Sequence, residues 1–122
     1  MAHDMDLIRA ILLDVEERKP ACGIWEAEPF LAGKDAATVV EHLNFLINEG
    51  CLTGTADYIP ESDFLEVSNI NITGKGLYLL NLSRDEGIWK TAKEKMIYVG
   101  KSFFVPLLLE YLKTLAKSKL GL

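Results

Sequence analysis

The apolar residues of this chain change period along its length, from helical spacing to alternation and back, and that change limits the folds open to it. Leu7, Ile8, Ile11, Leu12 and Val15 recur at helical spacing; Leu52 to Ala56 and Phe64 to Ile72 read as strands; the residues after Thr73 return to a helical pattern. Such an order predicts helices packed on a small antiparallel sheet, an α+β class. At 122 residues the chain has the length of one domain, expected to span residues 1–122.

Local chemistry sets the expected boundaries. Asp4 or Asp6 can cap the first helix, and the run Glu16, Glu17, Arg18, Lys19, Pro20 ends it with cations near its carbonyl end and a proline that cannot extend the ladder. Trp25-Glu26-Ala27-Glu28 alternates, which predicts a short strand ending at Pro29. After Gly33-Lys34-Asp35, a second helix gathers Val39, Val40, Leu43, Leu46 and Ile47 on one face, leaves Glu41, His42, Asn44, Asn48 and Glu49 elsewhere, and stops at Gly50. Phe45 lies about 200° around that helix from Leu43. Either a neighbouring element covers it or it is a contact residue.

The two central strands form a hairpin whose polar tip contains Asp57, Pro60, Glu61 and Asp63. Leu65 and Val67 share one phase while Ile70 and Ile72 share the other, so a bulge is expected near Ser68-Asn69. Thr73 is placed to cap a helix through Leu77 and Leu80, and Gly76 permits a close approach at its start. Ser83 with Glu86 has the spacing of a capping box, opening a helix through Ile88, Trp89, Ala92 and Met96. Ser102 and Pro106 mark a last helix at about 103–119, with Phe104, Leu107, Leu108, Tyr111, Leu112 and Leu115 as its apolar set. Leu7, Ile11, Val40, Leu43, Leu46, Leu77 and Leu112 are expected in one core.

Composition excludes several classes. The longest apolar run, Phe103 to Leu109, contains Pro106 and falls far short of the roughly 20 residues of a membrane span. Asp4, Asp6 and Asp14 run through the first apolar stretch with no basic start, unlike a signal or transit peptide, so a cytoplasmic location is expected. Without that signal the sequons at Asn71 and Asn81 carry no glycosylation inference. Cys22 and Cys51 belong to no CxxC pair, and His3 and His42 lack any paired spacing, so no metal site is expected. Both cysteines read as small buried thiols and Trp89 as a core residue. No phosphate-cradling glycine pattern, nucleophile–base pair or cofactor loop stands in the sequence, so neither a catalytic residue nor a cofactor or small-molecule substrate is assigned.

Several segments in this order, DMDLIRAILL, EHLNFLINEGCL, ITGKGLYLL, SRDEGIWKTAKEK and the final leucine-rich helix with lysines, resemble a bacterial and phage-associated family of small winged-helix-like proteins labelled only as a domain of unknown function. The resemblance covers most of the chain, with Cys22 to Lys34 matching least. It implies a winged-helix-like domain with a small antiparallel sheet and an added C-terminal helix. It brings no established activity and no catalytic residues.

The functional expectation follows from charge. Residues 1 to 89 hold six Lys/Arg against sixteen Asp/Glu, whereas residues 90 to 122 hold seven Lys against two Glu. A winged helix invites a DNA-binding reading, but the helix at 36–48 carries Glu41 and the wing carries Asp57, Glu61, Asp63 and Glu66 without Lys or Arg. DNA is therefore disfavoured there, and its candidate contacts are Lys113, Lys117 and Lys119. The expected function is a non-enzymatic interaction or regulatory module that forms a homodimer and meets a host or phage protein. The candidate dimer contacts are Phe104, Leu107, Leu109 and Tyr111, where the last helix widens its apolar surface.

Overall fold

The computed structural model describes residues 4–18, 21–26, 35–62, 64–96 and 104–120, with the backbone alone for residues 18, 21–26, 119 and 120. Its helices are α1 (Met5–Arg18), α2 (Ala36–Asn48), α3 (Gly74–Ser83), α4 (Glu86–Met96) and α5 (Phe104–Leu120). Its strands are β1 (Ala21–Glu26), β2 (Leu52–Ile59) and β3 (Phe64–Ile72), paired antiparallel in the order β1-β3-β2. The α+β class is as the apolar periods require.

Each of the first four helices starts on a nearby side-chain oxygen. Asp4, not Asp6, caps α1, its carboxylate accepting from the Leu7 amide at 3.0 Å. Asp35 accepts from the Thr38 amide at 2.8 Å to open α2, which ends where the Cys51 amide donates to the Leu46 carbonyl and the Gly50 amide to that of Ile47. Thr73 caps α3, accepting from the Gly76 amide at 3.1 Å while its hydroxyl donates to the Gly50 carbonyl at 2.6 Å. The capping box expected at Ser83 and Glu86 does not form. Asp85 caps α4 by accepting from the Ile88 amide at 3.0 Å, and buried Ser83 donates to the Leu80 carbonyl at 2.7 Å. An aspartate one residue before the helix reaches its free amides, whereas the serine hydroxyl is held inside the end of α3.

The sheet corrects two boundaries. β1 starts at Ala21, upstream of the expected strand, because it pairs with β3 from Ala21 opposite Ile70 to Glu26 opposite Phe64; the remainder of the expected strand, 27–29, lies outside the described residues. β2 runs beyond Ala56 to Ile59, since Asp57, Tyr58 and Ile59 continue the ladder opposite Glu66, Leu65 and Phe64. The bulge stands at the expected place. Between Thr53↔Asn71 and Thr55↔Ser68, β2 sets only Gly54 against Asn69 and Ile70, and Asn69 has φ 54°. Gly54 has φ +113°, and a Cβ there would lie 2.6 Å from the Ser68 carbonyl oxygen, so only glycine fits.

One face of the sheet buries Ala56, Leu65, Val67 and Ile70 against Leu7, Ile8, Ile11 and Leu12 of α1 and Val39, Leu43 and Leu46 of α2. Leu79 and Leu80 of α3, Trp89 and Met96 of α4, and Phe104, Leu108 and Leu112 of α5 extend the same core. Of the expected core residues, Leu77 alone is only half-buried, because α3 turns Leu79 and Leu80 inward and leaves Leu77 beside exposed Tyr78.

Candidate functional site

The last helix differs most from the expected contact surface. Phe104 is 2% exposed, and its ring meets Phe45 edge-to-face with centroids 5.8 Å apart. The neighbouring element that covers Phe45 is therefore α5. Leu109 and Tyr111 are half-buried against the core, which leaves Leu107, at 38% exposure, as the exposed member of the four dimer candidates. The apolar surplus read from α5 is taken up largely by α4 and α3 of the same chain, with Phe45 of α2 covering Phe104.

Among the candidate DNA contacts, Lys113 is partly exposed with its Nζ 3.7 Å from Glu110, and Lys117 is exposed. The side chain of Lys119 lies outside the described residues. All three belong to α5, which carries exposed Glu110 and packs on α4 with its exposed Glu86 and Glu94.

The surface formed by α2 and the hairpin has another character. Positions 35 to 74 contain seven Asp/Glu and no Lys or Arg. Glu41 on α2 and Asp57, Glu61 and Glu66 on the hairpin are exposed, while Asp63 lies outside the described residues. Asp57 and Glu66 are direct register partners on the outer face of the sheet, a like-charge pairing that costs stability. Beside them Ile59 and Phe64 pair in the next row, both half-buried. Asn44 of α2 donates to the Ala56 carbonyl at 3.1 Å and fixes the helix to the hairpin.

Two described groups suited to chemistry, His42 and Cys51, are internal. His42, placed off the apolar stripe by its polarity, is buried: Nε2 accepts from the Asp4 amide at 3.1 Å and Nδ1 lies 2.9 Å from the Thr38 carbonyl. Both contacts are satisfied by the tautomer protonated at Nδ1. Cys51 is fully buried, and burial pushes its thiol up to about 11, away from the reactive thiolate. Cys22 belongs to the strand whose side chains lie outside the described set. Among the described residues no group of three His, Cys, Asp or Glu could hold a metal ion, and no helix is long and apolar enough to cross a membrane.

A polar junction that the sequence did not signal joins α1 to α3 and α4. Asp6 accepts from the Trp89 indole at 3.0 Å and pairs with Lys93 at 3.1 Å. Arg9 lies 5.2 Å from the Trp89 ring, pairs with Glu86 at 3.1 Å and donates to the Ser83 carbonyl at 3.0 Å. Arg84 pairs with Glu16 at 2.8 Å. A shallow cavity of about 280 Å³ lies between Arg9, Leu13, Leu80, Ser83, Arg84 and Glu86. Both of its guanidinium groups are already matched by carboxylates, so it reads as a packing seam.

Fold and surface thus define a small α+β protein in which His42 and Cys51 are internal and whose residues 35 to 74 carry acidic groups and no Lys or Arg. The chain belongs to the family described as "Hypothetical protein (DUF2513)", whose profile matches residues 2–102. It is similar to an "Uncharacterized protein" of Haemophilus influenzae Rd, 30% identical over 118 residues, which cover 97% of this chain and 94% of that one. No solved structure matches it.

Proposed function

We propose that this protein is a non-enzymatic, winged-helix-like interaction module that self-associates and serves in a phage or prophage setting; the alternative is a DNA-binding transcriptional regulator. The order α1, β1, α2, β2, β3 and the sheet order β1-β3-β2 support the winged-helix-like reading. In that architecture α2 stands where a recognition helix would, and β2 and β3 form the wing. The observation that carries the choice between the two readings is the lack of any Lys or Arg from 35 to 74. DNA docking displaces counterions with cationic side chains, and an acidic face repels the duplex. The engagement of His42 and the burial of Cys51 support a role without catalysis.

Self-association is proposed through the exposed side of α5 around Pro106 and Leu107. Light scattering at micromolar concentration should give twice the 13.6 kDa chain mass, and Leu107→Glu should return it to one. A mass of 13.6 kDa for both proteins would overturn self-association. Leu109 is a poorer site for the test, because it packs on the core and its replacement disturbs folding.

A further inference from the structure

We propose that the outer face of the sheet docks a cationic segment of a partner protein, one that brings Lys or Arg side chains around an apolar residue. The described helices lie on the other face of this sheet, and Thr53, Thr55, Asp57, Glu66 and Ser68 stand exposed. Asp57 and Glu66 face each other across the ladder, with neither ion-paired among the described residues. A like-charge pair of this kind costs stability in the free protein, and a cation seated between the two carboxylates removes that cost. Half-buried Ile59 and Phe64 in the adjacent row supply an apolar floor for the stem of a Lys or Arg or for a neighbouring apolar side chain. Glu61 at the hairpin tip adds a further exposed carboxylate, and positions 35 to 74 hold no Lys or Arg.

Charge complementarity also favours a foreign partner over a second copy. Of the described lysines on α4 and α5, Lys93 is held by Asp6, Lys113 stands beside Glu110 and Lys90 lies one turn from both Glu86 and Glu94, which leaves exposed Lys95 and Lys117 on separate helices. A segment with consecutive or alternating cations matches the face better. The surface is separate from Leu107, so the proposal goes beyond self-association through α5, and the two can fail independently.

The test uses the full chain and a fluorescein-labelled octalysine peptide, titrated by anisotropy at low salt. The double variant Asp57→Asn/Glu66→Gln should weaken binding by roughly fivefold or more, because it removes both facing charges. Removing two exposed charges elsewhere, with Glu17→Gln/Glu94→Gln, should change it less than about twofold. The first variant relieves a repulsion, so its thermal midpoint should be unchanged or higher and a loss of binding cannot be ascribed to unfolding. Equal losses in the two variants would show that the peptide responds to net charge alone and would overturn the site. A wild-type mass above one chain that falls to one on Asp57→Asn/Glu66→Gln would place a second copy on this face and overturn the proposed partner.

Discussion

A methyl group on Gly76 would be driven into the carbonyl oxygen of Cys51, which is backbone and cannot swing aside, whereas one on Gly74 meets nothing within 4 Å. Gly76→Ala should therefore destabilise the protein by about 1–3 kcal/mol, and Gly74→Ala should be neutral or stabilise by roughly 0.4–1 kcal/mol. Urea midpoints of the two variants check this, and equal shifts would contradict the close approach. The Thr73 and Gly76 pair was legible in the sequence because capping is local chemistry. The Asp6–Trp89 bond was not, since it joins residues 83 positions apart, and alone Asp6 reads as a candidate helix cap and Trp89 as a core aromatic. That bond, and then Lys93, hold the Asp6 carboxyl below its ordinary value of 3.8 in the folded protein. A depressed folded value means that its contribution is fully present above the unfolded value and is lost as pH falls through the folded one. Asp6→Asn should accordingly flatten the loss of stability below about pH 4 and leave the slope at neutral pH unchanged, as acid titration of the thermal midpoint would read.

At the level of elements, α2 links the core to the acidic surface. Its stripe was read from spacing, and Val39, Val40, Leu43 and Leu46 are all buried. Leu43 is fully buried, so Leu43→Ala should cost about 2–5 kcal/mol, and a near-zero change in the unfolding midpoint would contradict the packing. The bulge in β3 was also legible, because a change in the phase of alternation leaves no other way to keep Leu65, Val67 and Ile70 on one face. The extent of β1 was not, since pairing with β3 outweighs the weak alternation of its own residues. On α5, Phe104, Leu107 and Leu109 were read as widening the apolar surface beyond what one chain could cover. Sequence spacing could not show that the Phe45 ring takes the edge of Phe104, and that contact removes Phe104 from the candidate contact surface.

Over the whole molecule, the separation of charge decides between partners. A body with an acidic α2 and hairpin and a lysine-bearing C-terminal region can attract duplex DNA only through the latter, weakly and with strong salt dependence. Changing Lys113, Lys117 and Lys119 to Glu should therefore reduce any such binding more than substitutions on α2 do. The charge pattern was readable from the sequence, while its meaning depended on the fold, which sets Asp57 opposite Glu66 and turns both outward. The most direct measurement is the affinity for duplex DNA followed from low salt to physiological salt, about 0.15 M. Binding should be weak and unselective, disappear across that range and be indifferent to substitution of Ala37 or Asn48 on the exposed side of α2. Sequence-selective binding that persists at physiological salt and is abolished by those substitutions would contradict this and restore the transcriptional-regulator reading.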